Sequence, residues 1–153
     1  MDFKALDRGE LLATVGGTLL GISLALNWFM LGDRHAILNS CRGPNAPCTG
    51  WASLTMLRFL LLVTAVAPVI LAYIILRGHA LSWPRGELTA VIAMAALAMT
   101  LFVGLLDKPG SPRSEISLGT GWWVALVADL LILTGAIWRA KESGARRKPP
   151  GVM

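Results

Sequence analysis

The chain has 153 residues, 55% hydrophobic and only 15% charged, with a mean hydropathy of +0.63, and so lacks the polar surface an ordinary soluble domain needs. Four apolar runs, 11–31, 53–76, 88–106 and 119–138, are each near the roughly 20 residues a helix needs to cross hydrocarbon, and they leave no room for a separate soluble domain. The net charge of +5 and pI near 9.9 would suit nucleic acid, but the basic residues flank the apolar runs, so orientation in a membrane accounts for them and no nucleic-acid partner is expected.

The first run is longer than the roughly 7–15 apolar residues of a secretory signal and has no A-x-A-like cleavage site, so it is expected to stay in the protein. Along it Ala13, Gly17, Gly21 and Ala25 recur every fourth residue, a stripe of small side chains including a Gly-x-x-x-Gly step. Such a stripe lets another backbone approach closely, either within the chain or from a partner subunit. No run alternates with period two, so helices, which satisfy their own backbone in lipid, are predicted throughout.

Between the first two runs lies Cys41-Arg42-Gly43-Pro44-Asn45-Ala46-Pro47-Cys48, which holds both cysteines of the chain. The charge distribution puts this loop on the outer, oxidising side, which predicts a Cys41–Cys48 disulfide. Its spacing is unlike C-x-x-C and no second pair could relay electrons. A thiol-disulfide oxidoreductase is therefore a remote alternative, sustained only by Arg58 beneath the loop.

The second run contains Pro68, which removes a helical hydrogen bond and predicts a kink. The third opens with Arg85-Gly86-Glu87-Leu88, matching Arg8-Gly9-Glu10-Leu11 at a shift of 77 residues; Glu10 and Glu87 suit the dipole of a first helical turn. The fourth opens with Thr120-Gly121-Trp122, matching Thr49-Gly50-Trp51 at a shift of 71. These matches predict a duplicated helical hairpin, 8–77 and 85–139, as a parallel internal repeat about an axis along the membrane normal. The first outer loop is the longer one, by about the stretch that holds the cysteines. Nine Lys and Arg lie on the side of the two termini, and Arg34, Arg42, Lys108 and Arg113 on the other, which predicts both termini in the cytoplasm.

Arg58 and Asp129 each follow the marker tryptophan of their copy by seven residues, about 10 Å along a helix. A charge at mid-bilayer costs about 2.5–3.5 kcal/mol, so Asp129 needs a partner, and Arg58 is the matching donor. The expectation is an intramembrane ion pair bridging the second and fourth helices, with an ion pathway or a partner-subunit contact as alternatives. The six tryptophans, Trp28, Trp51, Trp83, Trp122, Trp123 and Trp138, fall near the ends of the runs and read as an interfacial belt. His35 and His79 are isolated, and no nucleotide, metalloprotease or nucleophile motif is present, so no catalytic residue, cofactor or metal is assigned. Residues 141–153 form a basic tail, expected to be disordered in the cytoplasm and able to rest on anionic lipid.

With Asn27-Trp28-Phe29, Gly50-Trp51-x-x-Leu54, Leu106-Asp107-Lys108-Pro109-Gly110 and Gly121-Trp122-Trp123-x-Ala125-Leu126, the chain resembles small four-helix integral membrane proteins of actinobacteria. The resemblance implies an all-α protein with four transmembrane helices in a bacterial plasma membrane, and carries no catalytic residue. Within one transmembrane domain, 1–140, the expected function is that of a non-enzymatic accessory or assembly subunit of a larger membrane complex. Its partners would be the lipid bilayer and other membrane subunits or copies of itself. A small oligomeric channel or transporter using Asp129 and Arg58 is the alternative.

Overall fold

A computed structural model describes residues 7–32, 35–39, 41–43, 45–77 and 85–145. In chain order the elements are α1 (Arg8–Ala25), β1 (Asn27–Leu31), β2 (Ile37–Leu38), β3 (Cys41–Arg42), β4 (Pro47–Thr49), α2 (Gly50–Ser53), α3 (Leu57–Leu76), α4 (Arg85–Leu101), β5 (Ile116–Leu118) and α5 (Thr120–Ala145). A π-helical turn, Phe102–Leu106, extends α4. The tail expected to be disordered from residue 141 is helical through Ala145, where α5 ends; residues 146–153, Trp83 and His79 lie outside the described residues.

The chain is mostly helical, and the segments Leu57–Leu76, Glu87–Leu106 and Thr120–Glu142 are long and apolar enough to cross a membrane. The 18-residue α1, with Arg8 and Glu10 in its first turn, is not among them. It packs most extensively on α5 and next on α3, while α4 packs on α5 and α3, so the helices follow each other round a ring as α1, α3, α4, α5. Small residues line the contacts: Ala65, Ala93, Ala96, Ala125 and Ala128 are buried, whereas Val63, Ile70, Val91, Leu105 and Val127 point outward. Small-in, large-out is the pattern of helices that associate by close backbone approach within lipid.

At α1's start, the Asp7 N–H donates to Glu10 Oε2 at 3.2 Å, half of a capping box. The same Glu10 carboxylate, buried, pairs with Arg139 near the far end of α5 and ties the two helices at that end of the bundle.

Strands at the opposite end correct the expectation of an all-helical chain. The first apolar run leaves the helix at Leu26, and its last residues become β1, the centre of an antiparallel sheet with β4 on one side and β5 on the other. Phe29 faces Cys48 across one ladder and Leu118 across the other, and β2 and β3 form a separate two-stranded ribbon. Both Trp28 and Phe29 are buried, so the strand carries no alternating pattern to separate it from a continuing helix. The second run is also divided: Thr49 Oγ1 caps α2 by accepting from Ala52 N at 3.3 Å, and α3 starts only at Leu57.

Trp28 joins the sheet to the helices. Its side chain is 0% exposed, and its indole N–H donates to the Ser23 carbonyl of α1 at 2.8 Å. A methyl group at Gly50 would stand 2.6 Å from Nε1, and one at Gly121 2.6 Å from Cδ1, so both glycines of the Thr-Gly-Trp copies are needed for close approach to this one ring. The backbone follows the same plan: Gly50 N–H donates to the Leu26 carbonyl and Gly119 N–H to that of Trp28. Trp28→Ala is expected to destabilise the protein by about 3–5 kcal/mol. In the same detergent denaturation series Val91→Ala, whose side chain is 58% exposed, should stay within about 0.5 kcal/mol of wild type.

Candidate functional site

Asp129 is the tenth residue of α5, about 13 Å from its start, and is 0% exposed. Thr100 of α4 donates its hydroxyl to Oδ2 at 2.9 Å, while Oδ1 has no hydrogen-bond partner among the described residues. The Thr100 carbonyl in turn accepts the Trp122 indole N–H at 2.9 Å. One residue beyond Leu101 the helix widens into its π turn, and Gly104 within that turn lies directly against the Trp122 ring. A side chain inserted at a helical ladder is a known cause of such widening. Trp122, Thr100 and Asp129 thus form one polar chain that joins α4 to α5 along an alanine-lined seam.

Arg58 is the second residue of α3, beside the sheet. Its Nη1 donates to the Trp51 carbonyl at 3.2 Å, and its guanidinium carbon lies 5.0 Å from the centre of the Trp51 ring and 4.9 Å from that of Phe59, within cation–π range. The structure does not bring Arg58 and Asp129 together. Two features keep them apart. The break between α2 and α3 places Arg58 in the first turn of its helix, so an equal offset from Trp51 and Trp122 does not give equal depth. The ring order also puts α3 and α5 across the diagonal of the bundle.

Cys41 and Cys48 form a disulfide between β3 and β4, with a Cα–Cα separation of 5.8 Å. Asn39 Nδ2 donates to the Ser53 carbonyl and ties the β2–β3 ribbon to the end of α2. In the loop between α4 and α5 Arg113 pairs with Asp107, and Lys108 donates to the Ile116 carbonyl at 2.9 Å.

The small-residue stripe of α1 divides between two neighbours. Gly17 is pressed against the Ala65 carbonyl and Pro68 of α3, a methyl group at Gly21 would make only ordinary contact with Ala65 Cβ at 4.0 Å, Ala13 is buried against Gly135 of α5, and Ala25 is exposed. The tighter seam with α5 also uses Gly16, where a methyl group would stand 2.9 Å from the Ala128 carbonyl. Its signal is the spacing Gly9, Ala13, Gly16, a second small-residue row one step round the helix.

The tryptophan belt is likewise divided. Trp28 and Trp122 are buried and donate to backbone carbonyls, whereas Trp51, Trp123 and Trp138 are exposed. Among the described residues no three His, Cys, Asp or Glu converge. No known protein family, curated protein or solved structure matches the chain.

The geometry sets the outcome of a double-mutant cycle. Arg58→Leu and Asp129→Leu share no partner, so their stability losses should add within about 0.3–0.5 kcal/mol, whereas Thr100→Val and Asp129→Leu should couple by about 0.5–3 kcal/mol. Strong coupling of Arg58 to Asp129 in detergent unfolding would contradict this arrangement.

Proposed function

We propose that the protein is a non-enzymatic accessory or assembly subunit of a larger complex in a bacterial plasma membrane. In this reading α1, α3, α4 and α5 all cross the bilayer as two tandem hairpins in parallel repeat, with both termini in the cytoplasm and the sheet on the outer side. The single observation that carries the subunit role is the outer cap. It is closed by a disulfide and anchored by Trp28, and yet exposes Met30, Ile37 and Met56. Apolar side chains on a rigid cap beyond the hydrocarbon are the kind of surface that a protein partner covers. The residues that resemble small actinobacterial membrane proteins support the bacterial setting. The ring order of the helices and the shared rest of Gly50 and Gly121 on Trp28 support the tandem hairpins.

The unpartnered Oδ1 of Asp129 favours a second reading, a small oligomeric channel or transporter. It has less support, because Arg58 stands at a different depth on a different side of the bundle and Asp129 has no exposed surface. A thiol-disulfide oxidoreductase is weaker still, since Cys48 is buried.

Purification in mild detergent with mass measurement tests the proposal. Unrelated subunits that co-purify in fixed ratio are the expected result, and a lone symmetric oligomer would sink it in favour of the channel. In whole cells a membrane-impermeant maleimide should label Cys41 only after a reductant is added. Labelling that needs permeabilised membranes would reverse the topology.

A further inference from the structure

We infer that Arg58, Trp51 and the groove between α1 and α3 form a binding site for one glycerophospholipid of the outer leaflet, with its phosphate at the guanidinium and an acyl chain in the groove. The inference rests on the membrane reading above. Arg58 carries a full charge but faces no carboxylate among the described residues. Its contacts are one backbone carbonyl and two aromatic rings, which leave the outer guanidinium nitrogens without a carboxylate, while its Nε is buried and has no hydrogen-bond partner. Trp51 is an exposed aromatic at the same level, the kind of side chain that sits among headgroups, and no side chain caps the first turn of α3 beside it.

Below the guanidinium a groove of about 400 Å³ runs between the two helices, lined by Gly21 and Ile22 of α1 and by Leu62, Ala65 and Val69 of α3. Those α3 residues follow Arg58 by four, seven and eleven positions, so the charge and the groove share one helical face. The groove therefore starts one turn beneath the charge and continues inward for about 10 Å. It stays open because Gly21 has no side chain and its nearest neighbour across the gap, Ala65 Cβ, is 4.0 Å from where a Cβ would stand. A cation with aromatic company at the rim, above a short apolar slot, matches a phosphate joined to an acyl chain. A partner helix would need a seam of about 30 Å, the span of the hydrocarbon core.

Native mass spectrometry of the delipidated full chain, titrated with phosphatidylglycerol or with diacylglycerol of the same chains, tests this. The wild type should bind one phosphatidylglycerol at least fivefold more tightly than diacylglycerol, and glycerol 3-phosphate should not displace it. Arg58→Gln, and Gly21→Leu, which fills the groove, should each weaken binding at least fivefold, while Arg58→Lys should retain it within about threefold. The inference is overturned if wild type binds the two lipids equally, a comparison that stands even if a variant fails to fold. Displacement by glycerol 3-phosphate would overturn it too, as would a photocrosslink placed at position 22 that captures protein in place of lipid. Carbonate extraction separates the two ideas: a chain that leaves the membrane in carbonate defeats the membrane reading, whereas one that stays but does not discriminate between the lipids defeats only the site.

Discussion

The burial of one indole ring organises this protein. Trp28 stands where α1 gives way to the sheet, with its N–H on α1, its backbone in the central strand, and the first turns of α2 and α5 against its ring. A large rigid side chain can serve four elements only if they come within van der Waals distance together, and that is possible because glycine occupies the first position of α2 and the second of α5. Once those helix starts are fixed, the loops that precede them arrive on either side of residues 27–31, and antiparallel pairing satisfies backbone groups that would otherwise be orphaned. The sheet is in this sense a consequence of the tryptophan's position.

Within the bundle the same accounting governs the polar side chains. Thr100 gives its hydroxyl to Asp129 and its carbonyl to Trp122, and the helix widens at the point where the indole enters. A carboxylate deep in α5 is thereby held by a neighbour on the adjacent helix, and no cation from across the bundle is required. Arg58, at the rim, has found aromatic faces and a carbonyl in place of a carboxylate. The two charges that look equivalent along the chain have different circumstances in space: one is fully enclosed and half satisfied, the other partly buried against aromatic rings. The ion pair that does cross between helices, Glu10 with Arg139, lies at the end away from the cap.

Stability and exposed apolar surface are spatially separate in this fold. The α1–α5 and α4–α5 seams, lined with glycine and alanine, hold the bundle. The disulfide and the Asn39 contact stiffen the sheet end without using its exposed apolar side chains. On the face between α1 and α3 a small-residue stripe is left partly uncovered, and that face ends in a cation.

Much of the architecture is written in local sequence. Apolar run lengths announce long helices, the two cysteines announce their bond, and Thr-Gly-Trp marks two helix starts, because each of these depends on nearby residues or on the solvent. The strand at 27–31 was not legible, since a short apolar segment buried on both faces lacks a period and becomes a strand only when two distant loops pair with it. The same limit hid the partners of the charges. Equal spacing from a marker tryptophan predicts equal depth only along unbroken helices, and the break at residues 54–56 removes that condition for Arg58. What the sequence alone determined was a mostly helical chain with helices suited to lipid and a cross-linked loop after the first run. Which helix neighbours which, and hence whether Asp129 meets Arg58 or Thr100, was decided by tertiary packing, because side-chain partners follow from helix adjacency and rotation, which no spacing along the chain encodes.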